Sequence, residues 1–374
     1  MALPLRWLAL AAVALRASAF QSRASSRGYR TARWAAAHPA LRFGVCADIQ
    51  YVASDDDYNF QKTKMRRYRQ SLAIFGQAVE HWHAQEGVNL AVILGDVLDG
   101  KTSLMKNQQE CLDEVMHVSS RGRGGPKQFN SDKIRYLHTL GNHDHYSYTR
   151  PDLHSLYFSS IPDTTPERFY YSVSPHASWR LISLDAYDVS LIGASSPQHK
   201  EMAASMLARK NPNDLNASGT WFENLPREDY RWVPYNGGLG SAQLAWFASE
   251  LQAAKAAGQR CIVFCHQPVC AADKPQSVLW NSEEVREVMK REGNVAAWLA
   301  GHDHDGQHSF VDGIYHLVPP APIEAPVGEK AFGVIDCYDD KLCLNWVGRT
   351  PSKPTLRPWE LTAEMSLAPL PLSL

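Results

Sequence analysis

The sequence predicts an α/β or α+β layered domain, on two observations. From Leu41 onward, short apolar runs alternate with stretches of helical periodicity. Several of those runs end directly on a polar motif rich in Asp, His or Asn, as when rigid strands deliver side chains to one rim of a sheet. At 374 residues the chain is long enough for one large domain with a sizeable core, or for two small ones.

In chain order, the apolar runs Arg42–Ala47, Leu90–Leu94, Ile134–Thr139, Phe169–Val173 and Trp179–Leu184 read as strands. Arg260–Cys265, Val295–Leu299, Ile314–Leu317, Ala331–Asp336 and Lys341–Trp346 follow in the same style. Helical spacing marks Lys62–Gln85, Ser103–His117, Ser241–Ala257 and Ser282–Glu292. Between them, Ser119–Asn130 is Gly-rich and basic, but it lacks the spacing of a phosphate-binding loop and reads as solvated surface. No internal repeat is visible. Residues 351–374 are rich in Pro and Leu and read as a poorly ordered tail after a domain at 41–350.

Composition narrows the function classes. The net charge is −1, yet residues 1–40 hold six Arg and no acid, so beyond them 32 Lys and Arg face 39 Asp and Glu. A body of charge −7 exerts no general pull on nucleic acid, and an anionic substrate has to be held by metals or a local pocket. Fifteen His favour metal or acid–base chemistry. Seven Cys form no disulfide framework by count; Cys261 and Cys265 lie in an apolar run and read as buried, inert thiols, and Cys270 completes no zinc clip with them.

The first forty residues read as an address. Residues 1–19 carry an Arg in a short leading region, an apolar stretch too short for a permanent span and a small-residue end, the pattern of a signal peptide; no stable membrane association follows. Residues 20–40 begin with Phe20 and continue Ser-, Arg- and Ala-rich, a transit-like leader. Together they resemble the bipartite presequence of algae with secondary plastids. The plain alternatives are secretion or a mitochondrial presequence.

Five motifs follow apolar runs: Asp48-Ile-Gln50, Gly95-Asp96-Val-Leu-Asp99, Gly141-Asn142-His143-Asp144, Cys265-His266 and Gly301-His302-Asp303-His304. Any one is weak, since a lone acid or His after a strand is usually a cap or a satisfied core group. All five in this order form a joint signal. The order resembles the calcineurin-like metallophosphoesterases, and that resemblance implies an αββα sandwich. It narrows to the manganese-dependent ADP-ribose/CDP-alcohol diphosphatases through Ala47-Asp-Ile-Gln-Tyr51, Asn59-Phe-Gln61, Leu184-Asp-Ala-Tyr-Asp188, Asn211-Pro-Asn213, Tyr235-Asn-Gly-Gly238 and Gly301 to Gly306.

By that resemblance Asp48, Gln50, Asp96 and His304 hold one divalent ion. Asp96, Asn142, His266 and His302 hold a second, with Asp96 shared. The chemistry is coherent: two ions about 3.5–4 Å apart can clamp the attacking and leaving oxygens of an in-line displacement at phosphorus. The amide oxygen of Gln50 hardens its site towards Mn²⁺ or Mg²⁺, while the imidazoles leave Zn²⁺ or Fe possible. His143 is expected to stabilise charge on the phosphoryl oxygens or to protonate the leaving group, with Asp144 orienting its ring. Asp99 is read as supporting the ligands from behind, and Asp303 as surface. Tyr58, Phe60 and Tyr187 are aromatic candidates for stacking a base. The expected substrate is a small nucleoside diphosphate, ADP-ribose or a CDP-alcohol. The alternatives are a phosphomonoester or cyclic nucleotide, or an inactive relative serving as a binding module, against which stands the presence of every expected ligand. Relative to animal members, the chain departs at Asp144-His145-Tyr146 and at Asp303, where Thr is common.

Overall fold

The structure is a computed structural model, and it describes residues 38–121, 133–217, 220–271, 273–350 and 362–367. The address read from residues 1–40 falls almost wholly outside them, as does nearly all of the Gly-rich loop at 119–130.

Two six-stranded sheets carry the domain. In the first, Leu41–Cys46 runs parallel to Leu90–Ile93, which runs parallel to Arg135–His138; on its other side Ala331–Cys337, Lys341–Gly348 and Thr362–Ser366 add antiparallel. In the second, Trp179–Ser183, Arg260–Phe264, Val295–Leu299 and Ile314–Val318 are parallel, with Tyr171–His176 and Gln307–Val311 antiparallel at the edges.

Side-chain alternation stacks the layers. Leu181, Ile262, Phe264 and Leu299 point into one core with Phe43, Val45 and Val92 of the first sheet. Their neighbours Ile182, Val263 and Trp298 point the other way, onto Phe247 and Leu251 of the helix Ser241–Ala256 and Val285 and Met289 of Ser282–Glu292. On the far side, Phe75 and Trp82 of the helix Tyr68–Ala84 cover the first sheet, where the Trp82 indole donates to Gly333 O at 3.0 Å. Helix, sheet, sheet and helix make the expected four-layer αββα sandwich. The sheets are also tied by hydrogen bonds: Tyr171 Oη donates to His138 O at 2.8 Å, and Thr139 Oγ1 to Leu184 O at 2.9 Å.

Four local differences have physical causes. The first helix starts at Tyr68 rather than Lys62, because Asn59 Oδ1 accepts the N–H groups of Thr63 and Lys64 and folds residues 57–66 into a hairpin. The stretch expected as Ser103–His117 is two helices, Lys101–Met105 and Gln108–Ser119, broken where Lys106 turns left-handed (φ 57°). The helix Pro197–Lys210 buries only Ala203 and Leu207, so no apolar stripe betrays it; its Ser196 cap, accepting from His199 N–H at 3.1 Å, was the available signal. In the segment read as tail, Thr362–Ser366 pairs with Lys341–Gly348. All seven Cys are free, and Cys261, in the strand Arg260–Phe264, and Cys265, directly after it, are buried as expected. No helix of the described residues is long and apolar enough to cross a membrane.

Candidate metal centre

Three parallel strands of the first sheet and two of the second end at one rim, and Asp48, Asp96, Asn142, His266 and His302 each follow within four residues. The chain turns sharply there. Asp48, Gln50, Asp96 and His302 all have left-handed backbone (φ 50°, 44°, 56° and 69°). Such a conformation costs a non-glycine residue about 1–2 kcal/mol, and four together mark a rim built for its side chains rather than for stability. Space is equally tight: a Cβ on Gly141 would lie 1.9 Å from Asp96 Oδ1, and one on Gly301 2.6 Å from Asp48 Oδ2.

The seven side chains form one contiguous cluster. Gln50 Nε2 lies 2.8 Å from Asp96 Oδ2 and 3.0 Å from His304 Nε2. His304 Nε2 is 3.5 Å from Asp48 Oδ1, and His266 Nε2 is 3.5 Å from Asp96 Oδ2. Ligand atoms of Asp96, His266 and His302 lie within 4.8 Å of one another. Asn142 lines the same cavity floor as Gln50, Asp96, His302 and His304.

Each imidazole is held from behind through one nitrogen, leaving the other for the centre. His266 Nδ1 meets Leu94 O at 2.7 Å, His302 Nε2 meets Asn236 Oδ1 at 2.9 Å, and His304 Nδ1 meets Glu324 Oε1 at 2.8 Å. Burial keeps His266 and His302 below the usual imidazole range, the neutral state that ligation needs. At His304 burial is outweighed by Glu324 and Asp48, which hold its proton up to about 10.

A calcineurin-like phosphoesterase family model matches residues 41–306. The chain belongs to that family. Among curated relatives, it is 34% identical over 322 residues to the manganese-dependent ADP-ribose/CDP-alcohol diphosphatase of Arabidopsis thaliana, covering 85% of this chain and 97% of the relative. It is 32% identical over 335 residues to the protein of the same description from Mus musculus, covering 85% and 94%. A solved dimetal phosphatase from Danio rerio superposes with a TM-score of 0.78 at 29% identity, over 88% of this chain and all of that one.

As a calcineurin-like phosphoesterase the chain is a metal-dependent hydrolase, and its residues fit divalent ions. Gln50 Oε1 and His266 Nε2 are buried with no hydrogen-bond partner. Among the described residues neither Asp48 nor Asp96 forms an ion pair with Lys or Arg, and burial together with Asp48 pushes the Asp96 carboxyl well up. A buried carboxylate pair flanked by unpartnered donor atoms is an arrangement that cations complete.

Two expectations need correction. Asp144 does not orient His143: its buried carboxylate accepts the N–H groups of Asp96 (2.9 Å), Val97 (3.1 Å) and Gly141 (2.8 Å), so it fixes the loops that carry Asp96 and Asn142. The His143 ring is held by Gly100, whose N–H donates to Nδ1 at 2.8 Å, with Asp99 Oδ2 at 3.6 Å, an oxygen that Arg66 Nη1 reaches at 2.6 Å. Burial pushes the imidazole down to about 3, against a smaller upward pull from Asp99. It is therefore neutral, with Nδ1 accepting and the ring proton left on Nε2. Asp303 is not surface; the chain folds back after His302 and its buried carboxylate accepts the Asp305 N–H at 3.2 Å.

Above the cluster opens a cavity of about 390 Å³. One wall is aromatic: Tyr235 lies against His302 (ring centroids 5.6 Å), Trp221 against Tyr235 (5.8 Å), and Phe60 stacks on Trp221 (6.1 Å, 12° between planes). Of the three stacking candidates only Phe60 lines the cavity. Tyr58 is exposed on the hairpin, and Tyr187 is wholly buried, its hydroxyl 3.5 Å from Asn142 Oδ1. Sequence reasoning missed Glu324 and Trp221, and it gave Asn236 no role beyond its place in the Tyr235–Gly238 motif. The first had a signal, a single acid inside the apolar, Pro-rich run from Val318 to Val327.

Proposed function

We propose that the chain hydrolyses the diphosphate of ADP-ribose and of CDP-alcohols such as CDP-choline, CDP-ethanolamine and CDP-glycerol, releasing AMP or CMP, with two divalent ions of which Mn²⁺ is the first choice. The observation that carries this reading is Asp96, a single buried carboxylate in contact with two groups of donors at once. On one side stand Asp48, Gln50 and His304, and on the other Asn142, His266 and His302. The names of its relatives supply the substrate class, and the aromatic wall suits a base.

In this reading Asp48, Gln50, Asp96 and His304 hold one ion, and Asp96, Asn142, His266 and His302 the other. Two such ions supply Lewis-acid stabilisation of phosphoryl charge and lower the pKa of water towards neutrality. The chain's own residues do the rest. His143 Nε2–H faces developing charge as a fixed neutral donor. Phe60, Trp221 and Tyr235 give the base a face to stack on. Leu94 and Asn236 hold the His266 and His302 imidazoles in their ligating tautomers, and Glu324 orients His304, whose Nε2 proton would have to leave when an ion binds.

The test is a panel of ADP-ribose, CDP-choline, CDP-glycerol and para-nitrophenyl phosphate with the Mn²⁺-loaded chain. Release of AMP and CMP well ahead of para-nitrophenol supports the diphosphatase reading. Turnover of the monoester alone would replace it with a phosphomonoesterase. Metal choice has its own test. Exchanging the amide of Gln50 for imidazole, Gln50→His, is expected to move the preference from Mn²⁺ towards Zn²⁺ or Fe while retaining part of the activity. A metal profile identical to the wild type would show that position 50 does not set it.

A further inference from the structure

The two His of Gly301-His302-Asp303-His304 open onto different walls of the cavity. His302 leads to the aromatic rings. His304 leads to a charged rim: Glu324 holds its Nδ1, and Lys64 Nζ lies 3.3 Å from Glu324 Oε2. Lys64 also bonds Asp305 Oδ1, which Arg349 Nη2 reaches at 3.1 Å. Lys274 Nζ lies 2.9 Å from Asp305 Oδ2. Asp305 thus gathers cations from the Asn59–Lys64 turn, the segment before Pro275–Ser277 and the end of the strand Lys341–Gly348, and two of them, Lys64 and Lys274, line the cavity.

Summed as formal charges the rim is close to balanced, because Asp303, Asp305, Glu324 and Asp99 answer Lys64, Lys274, Arg349 and Arg66. Exposure breaks the tie. The Lys64 and Lys274 side chains are 33% and 35% exposed, against 16% for Asp305 and 4% for Glu324. Both Asp305 oxygens are taken by cations. Each ammonium has three donors, and the contacts with Asp305 and Glu324 leave some of them free. Asp303 and Glu324 also line the cavity, but both are buried, so the more exposed charged groups that meet a ligand here are the two ammonium groups. Resting on the diphosphatase reading, with the base on the aromatic wall, the group beyond the diphosphate falls on this rim.

We infer that Lys64 and Lys274, positioned by Asp305, form the subsite for that distal group and select an oxygen-rich neutral or anionic group over a cationic alcohol. A ribose or glycerol offers hydroxyl oxygens to the free N–H donors. A quaternary ammonium offers no acceptor and meets like charge at close range.

The experiment compares kcat/KM for CDP-glycerol and CDP-choline with the Mn²⁺-loaded full chain at one low ionic strength, where such charges are least screened. The wild type is expected to favour CDP-glycerol by about tenfold. Lys274→Glu should lower that ratio by more than threefold, and Lys274→Arg should keep it. A wild-type ratio of three or less, or a ratio that Lys274→Glu moves by threefold or less, overturns the subsite while the diphosphatase reading stands. The wild-type ratio decides the matter even if a variant expresses poorly. Hydrolysis of neither compound, nor of ADP-ribose, would remove the diphosphatase reading and this inference with it.

Discussion

Asp96→Asn is expected to abolish measurable hydrolysis while leaving the fold intact. The replacement is isosteric, and Asp96 is buried with left-handed backbone that Asn tolerates well. The wild-type Oδ1 accepts the His143 N–H at 2.8 Å, a bond that an amide oxygen can still make. What is lost is the anionic Oδ2, the atom that meets Gln50 on one side and His266 on the other. One change therefore weakens both donor groups. The metal-free variant should be at least as stable as metal-free wild type, because it no longer buries two carboxylates side by side. Turnover at saturating Mn²⁺, metal content and the thermal midpoint of the metal-free chain check the three parts. Activity within tenfold of wild type would sink the sharing of Asp96.

His143→Ala should separate chemistry from metal binding. Here the ring accepts from Gly100 N–H through Nδ1 and lies beside Asp99, so it presents a neutral Nε2–H rather than an imidazolium. Losing one fixed donor to a developing oxyanion typically costs about 10²–10³ in turnover. That fall is expected with metal content unchanged. His143→Gln, which restores a neutral N–H donor, should recover part of the loss, whereas a group needed as a proton source would not be replaced by an amide. Loss of metal in His143→Ala would make His143 a ligand. Equal activity of the Ala and Gln variants would remove the donor role.

Much of this centre was legible because it is written in local motifs after strands, and strand ends are where a layered α/β fold builds sites. The grouping of Asp48, Gln50, Asp96, Asn142, His266, His302 and His304 came from the family resemblance of those motifs, and the structure brings the side chains to one rim. Side chains that act across long sequence distances were not legible. Nothing near position 304 says that Glu324 will hold its ring, and nothing near His143 says that Gly100, rather than the adjacent Asp144, will fix its tautomer. Adjacent residues on the short helix Asn142–Ser147 diverge, so Asp144 turns back to the loop amides while His143 faces the cavity. The fold shows the same contrast. Strands such as Val295–Leu299 match their apolar runs to the residue, whereas the helix Pro197–Lys210 packs through too few apolar positions to leave a pattern.

The number of ions per chain tests the shared centre most directly. Metal-free protein titrated with Mn²⁺, with bound metal counted by elemental analysis and activity followed in parallel, is expected to take up two ions per chain, with full turnover reached only as the second site fills. Full turnover with one ion bound, or with none, would contradict it.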